Sequence, residues 1–205
     1  MARKDLGHSE HSTLGKLKFS NSWTAYGPVG WKDAAPDADV FSRETPARIE
    51  VAGKKLSAKK VKAQAGRLDF NRLYGRHFEG RTAYVVIPFA APKTGTYTIG
   101  LGADWWLQAW VDGRPAGDTI EKGNGQHPPT QESNGFNVNL EAGNHTLAVR
   151  VVSGMGGHVL AVGNHSLAGC DAQEVERRQH VGIAGRMWRP IKVVFLGAGS
   201  GFLHS

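Results

Sequence analysis

Cysteine is nearly absent from this sequence. Cys170 is the single cysteine among 205 residues, so no disulfide can form within the chain. No stretch approaches the roughly 20 apolar residues that a membrane-spanning helix needs. The basic N-terminus also lacks the apolar run of a secretory signal. These absences predict a chain that makes no contact with a membrane and that, as it stands, is cytoplasmic.

Signatures of catalysis are missing as well. There is no H-E-x-x-H metalloprotease motif. Ser200 has Ala198 and Phe202 two residues away on either side, where a hydrolase nucleophile turn needs glycines. The spacing of His158 and His165 fits neither a helical metal site nor a zinc ribbon, and the 18 acidic residues form no recognisable pair for glycoside hydrolysis. We therefore expect no catalytic residues and no enzyme.

Glycine, in contrast, is abundant, with 27 residues in 205, whereas the average protein has about 7%. Glycine permits the positive φ angles of tight turns and bulges. Many turns imply many short strands, so the composition favours an all-β protein.

Positive charge is concentrated in the first part of the chain. Residues 1–81 hold 16 Lys and Arg against 9 Asp and Glu, whereas residues 82–205 hold 9 of each. The densest basic run, here called the lysine stripe, consists of Lys54, Lys55, Lys59, Lys60 and Lys62. Such a stripe can bind an anionic polymer, but lysine also protects exposed edge strands from pairing. We expect an edge strand, and the lack of any nucleic-acid recognition motif argues against nucleic acid as a partner.

Alternating apolar residues in the middle of the chain predict half-buried strands. Turn signals such as Asp112-Gly113 separate them. The predicted inward-facing residues are Ala83, Val85, Ile87, Phe89, Tyr97, Ile99, Leu101, Leu107, Ala109, Val111, Phe136, Val138, Leu140, Leu147, Val149 and Val151, and a last strand covers 157–162. Short strands without intervening helices predict an antiparallel β-sandwich or jelly roll. The segment 17–31 is expected to cap the core, and 33–46 to form a loop.

The block GLGADWWLQAWVDGRPAGDT over 100–119 and the later NVNLEAGNHTLAVRVVSG resemble the galactose-binding-like β-sandwich. That fold includes the sugar-binding domain at the N-terminus of family 2 glycoside hydrolases. The resemblance covers about residues 17–162. It implies a carbohydrate-binding or structural accessory module, with a glycan or a fused glycan-processing enzyme as partner.

One strand face could bind a sugar. Trp106, Gln108 and Trp110 alternate with the core residues and should share the opposite face. Indole rings stack on sugars, and an amide can bond their hydroxyl groups. In the alternative reading, a loop or the N-terminal segment with Trp23 and Trp31 covers these rings and makes a second small core.

The polar loop 121–135 should lie beside this strand. Its predicted rim residues are Asn124, Gln126, His127 and Asn134. Asp104 precedes the tryptophans and could bind Ca²⁺, which takes carboxylate oxygens, or could cap a turn through its own backbone. No other cofactor is expected.

The C-terminal run PIKVVFLGAGSGF resembles the first Rossmann strand of family 4 glycoside hydrolases, which use NAD and a metal. The glycines of its Gly-rich turn are Gly197, Gly199 and Gly201, but only four residues follow, too few for the helix that receives the pyrophosphate. We expect this turn to be a vestige that binds no nucleotide.

The sequence thus predicts a flexible tail over 1–15 and a β-sandwich over 16–163. A C-terminal extension follows over 164–205, with a helix at 171–180 and a strand and turn at 190–201. The expected function is that of a non-catalytic, carbohydrate-binding or structural module. The alternatives are a truncated family 4 glycosidase, inactive alone, and a basic module that binds an anionic polymer.

Overall fold

Antiparallel strands account for nearly all the regular structure in a computed structural model of the chain, which describes residues 14–30, 44–75 and 80–166. Within these ranges the strands are β1 (Lys18–Phe19), β2 (Ser22–Gly30), β3 (Arg48–Val51), β4 (Lys54–Ser57), β5 (Lys59–Lys62), β6 (Arg67–Asp69), β7 (Arg81–Ala91), β8 (Gly95–Ala103), β9 (Trp106–Val111), β10 (Arg114–Asp118), β11 (Asn134–Leu140), β12 (Gly143–Val152) and β13 (Val159–Asn164). One short helix, α1, spans Phe70–Tyr74. The all-β prediction is confirmed.

The strands form two packed sheets and a separate hairpin. The larger sheet has the order β10-β9-β12-β7-β2-β5, and β1 also pairs with β7. The smaller sheet has the order β11-β8-β13-β6, and β3 pairs with β4 alone. Every pairing is antiparallel, so the predicted sandwich is confirmed.

The main core lies between the two sheets and follows the alternation of the sequence. Leu107, Ala109 and Val111 are buried in it, as predicted, and so are Ile99 and Leu101 of the facing sheet. Alternate residues of a strand face opposite sides of its sheet. The apolar period of two therefore placed these side chains correctly.

A second core covers the outer face of the larger sheet. It consists of Tyr26, Val29, Ile49, Val51, Tyr84, Val86, Trp110 and Ala148. Ile49 and Val51 come from the β3–β4 hairpin, which therefore lies over this face. At the hairpin turn, Ala52 and Gly53 have φ values of 49° and 74°, as a type I′ turn requires. The sequence analysis did not predict this hairpin, because Ala-Gly is a weaker turn signal than Asn-Gly.

Segment 17–31 was predicted to cap the core, but most of it is strand. β2 lies between β7 and β5 in the larger sheet, and Trp23 is buried in the main core. The alternation is interrupted by an irregularity in the pairing of β2 with β7 between Tyr26 and Val29. Because of this irregularity, the apolar residues of β2 do not follow a period of two, and the strand was not predicted from the sequence.

The connections divide the sandwich into two ends. The loop end is formed by Asp104–Trp105, by 119–133 and by 153–158, and α1 lies beside it. The turn end carries the tight turns after β7, β9 and β11. None of the helices in the described ranges is long and apolar enough to cross a membrane.

Candidate functional site

The predicted stacking face is largely covered. Trp110 is 8% exposed and belongs to the second core, while Trp106 and Gln108 are half-buried. Oε1 of Gln108 accepts a hydrogen bond of 2.9 Å from Nη1 of Arg150 on β12. The ring of Trp110 is therefore core and not an exposed platform. Trp110 thus belongs to a second core, as the alternative supposed. The β3–β4 hairpin contributes Ile49 and Val51 to it and the N-terminal segment contributes Tyr26 and Val29, whereas Trp23 lies in the main core.

Two of the predicted rim residues hold the long loop in place. Oδ1 of Asn124 accepts hydrogen bonds of 3.1 Å from the backbone N–H of Ala103 and from Nδ2 of Asn134. Nδ2 of Asn134 also lies within hydrogen-bond distance of the carbonyl of Leu101, at 3.2 Å. Both asparagines are thus occupied in fixing the loop 119–133 to β8.

The loop lies directly on glycines of the smaller sheet. A Cβ atom at Gly100 would be 2.2 Å from the carbonyl oxygen of Gln131, and one at Gly102 would be 2.2 Å from that of Thr130. Only a residue without a side chain allows so close an approach. Arg67 adds a hydrogen bond of 2.8 Å from Nη1 to the carbonyl of Pro129. The loop is therefore an ordered part of the loop end.

Asp104 is the charged residue around which this end is built. It is 3% exposed, and its carboxylate lies against the glycines of segment 153–158. A Cβ atom at Gly157 would be 2.7 Å from Oδ2 of Asp104, and one at Gly156 would be 3.4 Å from it. The carboxylate can pack this closely against the backbone because Gly157 has no side chain, whose Cβ would collide with it.

His127 brings the long loop to the same carboxylate. Its Nδ1 lies 3.9 Å from Oδ2 of Asp104, and its side chain is 57% exposed. Gln126, the neighbouring rim residue, is exposed and accepts a hydrogen bond of 3.3 Å from the hydroxyl of Ser133. The fold therefore brings Asp104 and His127 together, just as it brings Asn124 together with Asn134.

Two large apolar residues lie in the segments that meet at this carboxylate. Trp105 is half-buried and packs over Gly123 of the long loop and Gly154 of the opposing segment. Met155, between the glycines of 153–158, is 83% exposed. Neither residue was predicted from the sequence to belong to a site. The dipeptide Trp105-Trp106 and the run Ser-Gly-Met-Gly-Gly were the signals available.

The residues of the loop end provide one carboxylate for the predicted calcium site. Ca²⁺ takes six to eight oxygen ligands, which can include backbone carbonyls and water. Across 14–30, 44–75 and 80–166, no group of three or more His, Cys, Asp or Glu side chains could hold a metal. A calcium ion at Asp104 stays a prediction.

Arg81 is a buried cation at the loop end that the sequence analysis missed. Its guanidinium donates to the carbonyls of Gly75 at 3.0 Å and Phe70 at 3.2 Å and lies 5.6 Å from the ring centre of Tyr74. Burial lowers the pKa of Arg81, and it raises the pKa of Tyr74 to about 12. These contacts tie α1 to the start of β7.

The two histidines considered for metal binding are buried in separate places. Nε2 of His158 lies 3.2 Å from the carbonyl of Val151, and its ring centre is 4.6 Å from that of Phe70. His165 lies 3.7 Å from a carboxylate oxygen of Glu132. The two imidazoles thus contact different partners: His158 contacts Val151 and Phe70, and His165 lies near Glu132.

The lysine stripe lies on β4 and on β5, which is an edge strand, as expected. Nζ of Lys60 donates to the hydroxyl of Thr24 at 2.9 Å. Nζ of Lys59 donates to the carbonyl of Leu73 at 3.4 Å and lies 5.9 Å from the ring centre of Tyr74. At least two of the five amines thus make contacts within the fold.

Several predictions fall outside the described residues. These are the tail over 1–13, Trp31, Cys170, the helix at 171–180, and the strand and Gly-rich turn with Gly197, Gly199 and Gly201. They stay predictions.

Comparison with known proteins gives a fold likeness at low identity. No family model matches the chain, and no curated protein matches its sequence. Among solved structures, a beta-glucosidase from Kluyveromyces marxianus in complex with glucose matches with a TM-score of 0.43 and 12% identity, over 85% of this chain and 19% of that one. The GH31 alpha-xylosidase from Xanthomonas citri matches with a TM-score of 0.42 and 14% identity, over 80% and 16%.

An anti-sigma factor domain-containing protein also matches, with a TM-score of 0.37 and 14% identity, over 72% of this chain and 76% of that one. The chain spans less than a fifth of the length of the two glycosidases. It is a β-sandwich similar to small parts of these enzymes.

Proposed function

We propose that this domain binds a carbohydrate at the loop end, around Asp104, and catalyses no reaction on it. The observation that supports the proposal is the placement of the carboxylate. Asp104 is 3% exposed, and its carboxylate packs against the backbone of Gly156 and Gly157, with His127 of the long loop 3.9 Å away. A carboxylate accepts hydrogen bonds, so a site of this kind is suited to a ligand rich in hydroxyl groups.

The surrounding groups match the chemistry of a sugar. The two oxygens of an ionised carboxylate accept hydrogen bonds only, and vicinal hydroxyls of a pyranose can donate to both. His127 can bond a further hydroxyl at the rim. Trp105 and Met155 offer apolar surface to the C–H face of the ring. Polar groups that fix orientation beside apolar walls are typical of small-ligand sites.

Titration of the intact protein with glycans tests this function. Neutral and acidic glycans are first screened on an array, and the best ligand is then titrated by calorimetry. We expect Asp104→Asn to weaken binding at least tenfold, because the amide replaces one acceptor oxygen by a donor while keeping the size of the side chain. Arg114→Ala at the turn end is the matched control and should bind as the wild type does.

Two outcomes would contradict the proposal. One is the absence of any glycan that binds the wild type. The other is equal affinity in Asp104→Asn and wild type when both are folded by circular dichroism. Repeating the titration at higher salt separates this site from the lysine stripe, because binding of a polyanion weakens steeply with salt, whereas binding of a neutral glycan changes little.

A further inference from the structure

The edge strands of the two sheets differ in how well they are protected from pairing with another chain. In the larger sheet, β5 carries three lysines, and β10 contains Pro115 and a register irregularity. In the smaller sheet, β6 has only three residues. Lysine, proline, bulges and shortness are the usual means by which an edge strand avoids pairing with another chain. β11, the other edge of the smaller sheet, has seven residues, NGFNVNL, without a charge or a proline.

The direction of the backbone groups of β11 follows from its neighbours. The backbone N–H of His165, just beyond β13, donates to the carbonyl of Thr98, so this carbonyl points away from β11. Successive residues of a strand alternate in direction, so the groups of Tyr97 and Ile99 point toward β11. In β11, the backbone groups of their partners, Val138 and Phe136, point toward β8.

It follows that the N–H and C=O groups of Gly135, Asn137 and Asn139 point outward from the sheet edge. These three residues are spaced symmetrically about Asn137. Among the described residues, β11 pairs with β8 alone, so the outward groups are not used by a further strand there.

A groove runs beside this edge in the part of the chain that the structure describes. Next to Phe136, the backbone of Gly117 in β10 lies against the aromatic ring. Beyond that point β10 and β11 diverge around a groove of about 1130 Å³, lined by Arg114, Ala116, Val138, Asn139 and Leu140 among others. A strand added to β11 would lie along the mouth of this groove.

Hydrogen bonds to β8 hold the side chains on the outer face of β11 in place. Oδ1 of Asn137 accepts a hydrogen bond of 2.7 Å from the hydroxyl of Thr98, and Oδ1 of Asn139 accepts one of 2.7 Å from Thr96. Both amides therefore lie across the β8–β11 pair. The strand carries no charged side chain that would repel an identical strand.

We propose that β11 pairs antiparallel with β11 of a second copy of this chain, with Asn137 opposite Asn137. In this register the residue opposite Gly135 is Asn139, so all outward-facing backbone groups meet a partner. Three pairs that each exchange two hydrogen bonds give six in all. The same surface serves both copies, as two-fold symmetry requires, and the two smaller sheets join into one of eight strands. A single strand pair buries little area, so the dimer forms at micromolar concentrations.

Sedimentation equilibrium of the full chain under reducing conditions tests the proposal. Between about 10 and 500 µM, the wild-type mass should rise from near 22.1 kDa toward twice that value. Asn137→Pro should stay monomeric, because proline removes an outward N–H without removing a bond to β8. Asn137→Ala is the matched control. It loses the same bond to Thr98 and should dimerise within about threefold of the wild type.

Asn137→Lys provides a second disruption if the proline variant fails to fold. Its charges would face each other across the two-fold axis, and it too should be monomeric. The proposal is overturned if the wild type is monomeric over the whole range. It is equally overturned if a folded Asn137→Pro or Asn137→Lys variant dimerises as the wild type does. An isolated NGFNVNL peptide that binds a monomeric wild type would show that the edge pairs with extended peptides instead.

Discussion

Nη1 of Arg150 lies 2.9 Å from Oε1 of Gln108, the residue directly opposite it in the pairing of β12 with β9. This hydrogen bond occupies the amide in the middle of the face that the sequence marked as a sugar platform. Next to it, the indole of Trp110 belongs to the second core. Trp110 is therefore core, and we place the candidate site at the loop end, around Asp104.

The first prediction concerns Trp110. Trp110→Ala should lower the free energy of unfolding by about 3–5 kcal/mol, because it opens a cavity beneath the β3–β4 hairpin. Trp106→Ala, at a half-buried position of the same strand face, is the control and should cost clearly less. Urea denaturation followed by circular dichroism measures both. Equal, small losses in the two variants would show that the hairpin does not cover Trp110.

The second prediction concerns the space beside Asp104. Gly157→Ala should weaken glycan binding more than Gly156→Ala, because the new Cβ lies 2.7 Å from Oδ2 of Asp104 in the first case and 3.4 Å in the second. We expect a loss of about tenfold for Gly157→Ala, measured by calorimetry. Unchanged affinity in a folded Gly157→Ala variant would mean that the ligand does not approach this carboxylate.

The third prediction concerns the attachment of the long loop. A Cβ at Gly102 meets the backbone of Thr130, whereas a Cβ at Gly163 meets the end of the Gln131 side chain, each at 2.2 Å. A side chain can move aside and a backbone in a fixed loop cannot. Gly102→Ala should therefore speed hydrogen exchange throughout 119–133, and Gly163→Ala should leave it nearly unchanged. The same exchange rates in both variants would argue against this packing.

The fourth prediction concerns acid stability. Oε2 of Glu132 accepts hydrogen bonds from the backbone N–H of Ser166 at 2.9 Å and from its hydroxyl at 2.6 Å. Burial raises the pKa of Glu132, but the bonds from Ser166 and the nearby His165 outweigh it, so that the pKa lies below its ordinary value of 4.5. Because the unfolded chain then binds the proton more tightly, this stabilisation is present above about pH 4.5 and is lost as the pH falls through the folded pKa.

Glu132→Gln should accordingly be less stable than the wild type at pH 7 and should lose less stability between pH 5 and about pH 3. The side chain is 39% exposed, so solvent screening limits the effect to less than about 1 kcal/mol. Guanidinium denaturation across this pH range measures it. Glu121→Gln, at an exposed position of the same loop, serves as control. A wild-type pH profile in Glu132→Gln would contradict the assignment.

Local patterns were enough to predict most of the sandwich. Alternation placed Val85, Ile99, Leu107 and Val149 in the core, since a strand with one face toward a core must repeat its apolar residues every second position. Asp112-Gly113 correctly marked the turn between β9 and β10, where both residues have positive φ. β2 was not predicted, because its pairing irregularity breaks the period of two.

What the sequence determined by itself is the class of fold and the inward set of each regular strand, because these depend on residues close together along the chain. Whether an outward residue meets solvent or another layer depends on segments far away. Trp106, Gln108 and Trp110 share a face by local geometry, but only the distant hairpin of Ile49 and Val51 buries the last of them. In the same way, Asp104 and His127 are 23 positions apart, and the packing of the long loop on Gly100 and Gly102 brings them to 3.9 Å.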